Sequence, residues 1–259
     1  MLADLFSLRN RTALITGGSR GIGKIIAAAF LEAGARVYIS SRKADQCDAT
    51  AAELAGRSGD CISLPQDVST TEGCRNLAAA FLQREPTLDI LVNNAGASWL
   101  AAFDEFPERG WDKVLNLNLK SPFFLTQALA QALEAAATTD KPAKVINIAS
   151  MDGIILNPTE AYSYTASKAA LIHLTRRLAA RLIERNIVVT AIAPGPFASD
   201  MNVEARDRAE SVAAATPARR IGKDEDIAGA ALYLASRAGD FVVGETIAVD
   251  GGISFASFI

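Results

Sequence analysis

Tyr164-Thr165-Ala166-Ser167-Lys168 places a phenol and an ammonium four residues apart. On a helix, positions i and i+4 share one face. A free tyrosine titrates near pH ~10 and is a poor acid–base group at neutrality. An ammonium one turn away favours the phenolate and lowers that value, and a second positive charge nearby would add to the effect. Such a phenol could give a proton to a carbonyl oxygen or take one from an alcohol. The competing reading is an ordinary amphipathic helix pair, because Tyr-x-x-x-Lys is common by chance. Tyr162 cannot form the pair, since its i+4 neighbour is Ala166.

Upstream, Ser150 ends the apolar run Lys144–Ala149. If that run is a strand, the hydroxyl sits at the carboxyl edge, where open α/β sheets bind ligands. It could donate to a substrate oxygen and steady a developing alkoxide. A turn serine is the plainer alternative.

A different chemistry is written near the start, in Thr16-Gly17-Gly18-Ser19-Arg20-Gly21-Ile22-Gly23. Glycines at 17, 21 and 23 let the backbone turn sharply, and a following helix would offer free N–H groups to a pyrophosphate. A strand before and a helix after raise this above an ordinary glycine turn. The spacing is G-x-x-x-G-x-G. The second strand ends at Ser40-Ser41-Arg42-Lys43, where dinucleotide-binding folds commonly place an acid on the ribose hydroxyls of NAD. No acid stands here. Arg42 and Arg20 instead suit the 2′-phosphate of NADP, because guanidinium groups form bidentate bonds to phosphate oxygens. Either arginine alone reads as a solvated surface group; together, flanking one site, they point to NADP(H).

The elements that position these groups follow from periodicity. Thr12–Thr16, Arg36–Ser40, Cys61–Leu64, Ile90–Val92, Lys144–Ala149, Val188–Ile192 and Thr246–Val249 are short Val/Ile-rich runs without clean alternation, as in strands buried on both faces. Amphipathic segments lie between them: Gly23–Ala33, Ala44–Leu54, Thr71–Gln83, Trp111–Ala135, Tyr164–Arg185 and Glu225–Ser236. Strand alternating with helix implies an α/β fold, a single doubly wound Rossmann-type domain with a seven-stranded parallel sheet spanning 1–259. Residues 194–217 have weak periodicity and several charges and form a candidate substrate lid.

Bulk properties narrow the classes. Of 259 residues half are hydrophobic, enough for a large core, and the net charge of −3 gives no basis for a nucleic-acid or anionic-membrane partner. Cys47, Cys61 and Cys74 form no CxxC pair and share no metal-ligand spacing with His173, the only histidine, so no metal site is expected. An odd cysteine count fits a reducing, cytoplasmic setting. No stretch reaches the roughly 18–20 apolar residues of a membrane span.

The motif TGGSRGIG resembles the glycine motif of the short-chain dehydrogenases/reductases, and the likeness extends from Thr12 to Gly252. It implies cofactor contacts from Gly17, Ser19, Arg20, Gly21, Ile22 and Gly23. Ser41 occupies the place where NAD-preferring members carry Asp. The resemblance assigns Asp67 to the adenine amino group and Val68 to a backbone bond beside it; a helix N-cap region before Thr71 competes for Asp67. Asn93-Asn94-Ala95-Gly96 resembles the family's second signature, with Asn94, Ala95 and Gly96 beneath the ribose and Asn93 bracing the sheet through hydrogen bonds to backbone. Asn118 looks like the asparagine that kinks a long helix and positions a water against the lysine; Lys120-Ser121-Pro122-Phe123 after it selects Asn118 over Asn116. The catalytic set implied is Asn118, Ser150, Tyr164 and Lys168, with Tyr164 and Lys168 also meeting the cofactor. The 14-residue separation of Ser150 and Tyr164 is one more than the family's usual gap. Pro194, Gly195, Phe197 and Ser199 lie in a segment resembling the motif that packs on the nicotinamide.

AYSYTASKAAL, the 14-residue gap and IAPGPFASDM are similar to 3-oxoacyl thioester (ketoacyl) reductases of the rhamnolipid-pathway type. The implied activity is reduction of a carbonyl to a secondary alcohol, with a 3-oxoacyl thioester as substrate. The alternatives are a dehydrogenase of a polyol, sugar or steroid, or a non-catalytic NADP-binding protein. Trp99, Met151, Ile154, Ile155, Phe197 and Met201 are the expected apolar lining, and His173 is read as structural or interfacial. Family likeness implies a homotetramer built on the two longest helices.

Overall fold

β1 (Thr12–Thr16), β2 (Arg36–Ser40), β3 (Cys61–Ser63), β4 (Ile90–Asn93), β5 (Ala143–Ile148), β6 (Ile187–Pro194) and β7 (Thr246–Val249) pair in parallel as one seven-stranded sheet, in the order β3-β2-β1-β4-β5-β6-β7. The computed structural model describes residues 2–200 and 202–256. All seven expected strands are present. β1 shows why alternation was weak in the sequence: Ala13 and Ile15 enter the core on one face while Leu14 enters the core on the other.

The helices in chain order are α1 (Leu2–Leu5), α2 (Gly21–Glu32), α3 (Ala44–Ser58), α4 (Thr71–Leu82), α5 (Glu108–Leu115), α6 (Ser121–Ala136), α7 (Tyr162–Leu182), α8 (Val203–Asp207), α9 (Ala209–Ala215) and α10 (Asp224–Ala235). α2, α3 and α10 cover one sheet face through residues such as Phe30, Cys47 and Leu234. α4, α6 and α7 cover the other, through Phe81, Leu129 and Leu182 among others. α4 illustrates the local logic. Thr70 accepts a hydrogen bond from the Gly73 amide at 3.0 Å, and Cys74, Leu77, Ala78 and Phe81 recur on one buried stripe.

One expected element differs. Trp111–Ala135 reads as a single helix, but α5 and α6 are separated by a π-helical turn, Asn116–Lys120. Pro122 lacks the N–H that an α-helical register would offer to the Asn118 carbonyl. The Asn118 side chain, meanwhile, is bonded outward to another loop. A π-bulge absorbs both constraints. The candidate lid contains α8 and α9, two short helices. No helix among the described residues is long and apolar enough to cross a membrane.

Sheet order reverses between β1 and β4. The chain leaves β1 toward β2 and β3, then returns to pair β4 on the other side of β1. This opens a crevice at the carboxyl ends of β1 and β4. The opposite edge is closed by buried charge: Lys144 is only 1% exposed and pairs with Asp240 at 2.7 Å, while Arg11 pairs with Asp89 at 3.4 Å.

Candidate active site

At the crevice, β1 and β4 are stitched through Thr16. Its hydroxyl accepts from the amides of Asn94 and Ala95, each at 3.0 Å, and donates to the Val92 carbonyl at 3.3 Å. The Asn94 side-chain amide donates to the carbonyls of Thr16 and Gly17, at 2.8 and 3.1 Å. Asn94 is thus committed to holding the glycine turn. A Cβ at Gly23 would fall 2.4 Å from the Asn94 amide nitrogen and from the Gly17 oxygen, so only glycine fits there. Gly17 has φ +65°, which glycine adopts without strain. Thr16 was not singled out in the sequence; its position as the last strand residue before the glycines was the available signal.

Gly21 faces the other way, toward Ser199. A Cβ there would meet nothing nearer than the Ser199 Cβ, at 3.9 Å. Helix α2 begins at Gly21 with no side-chain cap from Arg20, which leaves its first amides free to bind an anion. The glycine turn and Ser199 therefore face each other across a gap floored by uncapped N–H groups. Ser199 itself accepts from the Asn202 amide at 3.0 Å.

Around the adenosine end, Arg42 is exposed and forms no ion pair among the described residues. Ser41 donates to the Lys43 carbonyl at 3.3 Å. Arg20 pairs with Asp200 at 2.5 Å, bridging the glycine turn to the segment before α8. Asp67 accepts from the Ser69 amide at 2.9 Å, and Thr70 is the actual cap of α4. Ser19 and Val68 are buried and Ile22 packs on the core, so only their backbones are placed to meet a ligand.

Tyr164, Ser150 and Lys168 converge where β5 ends against α7. The Ser150 hydroxyl faces the Tyr164 phenol closely enough for a hydrogen-bonding interaction that favours the phenolate, and accepts from the Asp152 amide at 3.2 Å. Lys168 Nζ lies 5.6 Å from the centre of the Tyr164 ring and donates to the Ile148 carbonyl at 2.6 Å. Burial pushes the Tyr164 phenol up to about 12; the Ser150 hydrogen bond opposes that rise and the Asp152 charge adds to it. Burial also pushes the Lys168 ammonium down to about 8. The expected lowering of the phenol by Lys168 is not found; burial dominates and the phenol is raised.

Asn118, 1% exposed, accepts from the Ala97 amide at 2.8 Å and donates to the Ala97 carbonyl at 2.9 Å. Its amide also donates to Ser167 Oγ at 3.0 Å, and Ser167 donates to the Tyr164 carbonyl at 2.7 Å. The π-turn thus ties the loop after β4 to the catalytic helix. Gly96 sits at this junction, where an added Cβ would lie 3.4 Å from Asn118 Oδ1 and 3.8 Å from Lys168 Nζ.

Several expectations are corrected. Asn93 braces the sheet through side chains rather than backbone: its amide donates to Asn147 at 2.9 Å and to Thr126 at 3.2 Å. The Phe197 ring is 5% exposed and packed on Gly222, joining the core while also lining a cavity with Gly222 and Asp250, away from Ser150. Gly195 is packed on Asp250, and Pro194 ends β6 against Val249. Trp99 lies on Gly110 of α5, beneath Arg109 and Lys113. Met151, Ile154 and Ile155 are half-buried beside Ser150; Met201 lies outside the described residues. Tyr162 is turned away, bonded to Glu160 at 3.1 Å and stacked edge-on with Phe103 and Phe106.

A doubly wound sheet with an uncapped glycine turn at its switch point, and a Ser–Tyr–Lys cluster at the next strand end, defines a nucleotide-dependent oxidoreductase. The comparisons agree. The family described as enoyl-(acyl carrier protein) reductase matches residues 17–254. The rhamnolipids biosynthesis 3-oxoacyl-[acyl-carrier-protein] reductase of Pseudomonas aeruginosa is 46% identical over 95% of this chain and 97% of its own length. The Pseudomonas aeruginosa RhlG/NADP active-site complex superposes with a TM-score of 0.94 at 45% identity, over 97% of this chain and 99% of that one. A gluconate 5-dehydrogenase from Burkholderia cenocepacia, in complex with NADP and tartrate, gives 0.91 at 34% identity, over 99% and 100%. The chain belongs to the short-chain dehydrogenase/reductase family.

Proposed function

We propose that this protein uses NADPH to reduce the keto group of a 3-oxoacyl thioester to a secondary alcohol. The observation that carries the reading is the convergence of Ser150, Tyr164 and Lys168 on one strand end, where Lys168 meets Gly96, two residues beyond the Asn94 that holds the glycine turn. The residues fit the dinucleotide: uncapped α2 amides for the pyrophosphate, a Gly21 where an added Cβ would make only ordinary contact with Ser199, and Arg42, exposed and without an ion pair among the described residues, beside Ser41 for a 2′-phosphate. Asp67 engages one carboxylate oxygen with the Ser69 amide, and its other oxygen would accept from the adenine amino group.

NADPH, when bound, supplies the hydride. The chain supplies the rest. Ser150 donates to the carbonyl oxygen and steadies the charge that develops there. Tyr164, kept protonated by burial, gives that oxygen its proton. Lys168 holds the phenol's surroundings positive and offers its remaining N–H groups to the nicotinamide ribose. Asn118 keeps the Ala97 loop and the Tyr164 turn in register. Residues 194–217, with α8 and α9, close over the substrate as a lid.

A homotetramer is part of this reading. Phe103 and Phe106 of the segment before α5, Trp111 of α5 and Tyr162 at the start of α7 surround a surface cavity of about 500 Å³, with Phe103 73% exposed. A second copy covering that face would bury it, and light scattering at micromolar concentration should return a mass four times that of the chain. Three buried, unpaired cysteines support a reducing compartment, the cytoplasm.

The gluconate 5-dehydrogenase likeness supports one other reading, oxidation of a sugar acid. Initial rates of NADPH consumption decide between them. We expect turnover of 3-oxoacyl thioesters well above that of keto-gluconates and unrelated ketones; the reverse order would sink the thioester reading.

A further inference from the structure

Asp152 stands two residues beyond Ser150, in the 3-10 turn Met151–Gly153. That turn has no room to withdraw. A Cβ on Gly153 would lie 2.7 Å from the Lys168 carbonyl carbon and 2.8 Å from the Ala169 nitrogen, so the turn rests directly on the backbone of the catalytic helix. The carboxylate is also held from the other side. Its Oδ1 accepts from the Asn157 side-chain amide at 3.0 Å, and Asn157 Oδ1 accepts from the Thr159 amide at 3.0 Å and the Thr159 hydroxyl at 2.7 Å. These contacts fix a charged group beside the reacting hydroxyls without neutralising it. No lysine, arginine or histidine pairs with Asp152 among the described residues, and the nearby Lys168 ammonium donates to the Ile148 carbonyl and makes no ion pair with Asp152. The carboxylate is close enough for its charge to reach the Tyr164 phenol.

We propose that Asp152 is the charge selector of the substrate pocket: it rejects carbonyl compounds carrying a carboxylate near the reacting carbon and reserves the site for neutral ones. The proposal rests on the reading of Ser150 and Tyr164 as a carbonyl-reducing pair. An anionic substrate placed on those hydroxyls would bring a like charge toward Asp152 in a partly desolvated cleft, where such repulsion is poorly screened. A 3-oxoacyl thioester has no charge at that end. A dicarboxylate such as the tartrate bound to the gluconate 5-dehydrogenase relative would meet repulsion here.

The test compares two compounds with the same reacting ketone, ethyl 3-oxobutanoate and the 3-oxobutanoate anion, in the parent and in Asp152→Asn. Asparagine keeps the shape and can still accept from Asn157. In the parent, kcat/KM with NADPH favours the ester. In Asp152→Asn, kcat/KM for the anion rises by about tenfold while that for the ester stays within about twofold. A purely structural role would lower both together. Quenching of bound-NADPH fluorescence by 3-hydroxybutanoate and by its ethyl ester reads the same ratio without turnover. An ester-to-anion ratio unchanged by Asp152→Asn, in either measurement, overturns the selector and leaves the carbonyl-reducing reading intact. If the parent reduced neither compound, the carbonyl-reducing reading would fall while the binding ratio still decided the selector.

Discussion

Lys168 Nζ donates to the carbonyl oxygen of Ile148 at 2.6 Å, which anchors the ammonium to the end of β5 directly beneath Tyr164. The bond explains how a lysine only 4% exposed keeps a fixed position. It leaves two N–H groups for other partners. Lys168→Ala is therefore expected to lower turnover and weaken NADPH binding together. pH dependence follows from the burial that holds this ammonium at about 8. An anionic dinucleotide favours the charged form, so the complex binds more protons than the free protein. NADPH affinity should then fall as pH rises through about 8, and in Lys168→Ala that fall should vanish. Fluorescence titrations from pH 6 to 10 would show it, and a parent affinity flat across that window would contradict the assignment.

Arg20 must leave Asp200 if it is to meet a 2′-phosphate. Both partners are about 60% exposed, so the pair contributes little, about 0–1 kcal/mol. Asp200→Asn should release Arg20 and tighten NADPH binding by about two- to fivefold, an energy within that range. NADH affinity should not change. Arg42→Ala combined with Ser41→Asp should move preference toward NADH, since it exchanges a phosphate-binding cation for a ribose-binding acid. Competitive binding assays with both dinucleotides check all three statements. Equal use of NADPH and NADH by the parent would refute the role of the arginines.

Asn118 carries a loop and a helix at once. Asn118→Ala removes both partners of the Ala97 backbone and the donor to Ser167, at a cost of about 2–3 kcal/mol. Thermal melting should drop by about 5–10 °C, and turnover should fall because Ser167 no longer steadies the Tyr164 turn. Asn118→Asp retains the acceptor for the Ala97 amide and should lose less stability. A melting temperature and rate matching the parent for Asn118→Ala would show that the bridge is dispensable.

Much of this arrangement was legible in the sequence because it is written in local spacing. The strands are short branched runs, and Tyr164 and Lys168 are one helical turn apart. The glycines sit where β1 must turn. What escaped was long-range. The kink at Asn118 was expected from family likeness, but its form, a π-turn at Asn116–Lys120, goes with Asn118 bonding to a residue 21 positions earlier. Phe197 reads as pocket lining, but that its ring also packs into the core over Gly222 depends on a residue 25 positions later in the chain. Arg20 reads as free until Asp200 is seen to hold it, 180 positions away. The direction of the Tyr164 shift also depended on burial, which spacing does not reveal.

Tyr164 and Tyr162 offer the sharpest test of the chemistry, because they differ by two residues and face opposite ways. Tyr164 faces Ser150, and burial keeps its phenol protonated at neutral pH, as a proton donor requires. Tyr162 is exposed and bonded to Glu160. Tyr164→Phe keeps the ring and removes only the proton, so turnover should fall by about 10²–10⁴. NADPH affinity should stay close to the parent's, because the glycine turn, the arginines and Lys168 remain. Tyr162→Phe should cost little in rate. With the phenol raised to about 12, alcohol oxidation, which needs the phenolate, should keep climbing with pH above neutrality while NADPH-dependent reduction does not. Turnover in both directions, alongside cofactor affinity, should be measured for each variant. A Tyr164→Phe protein that kept most of its rate while Tyr162→Phe lost it would transfer the acid role to the wrong side of the helix and refute the site as drawn.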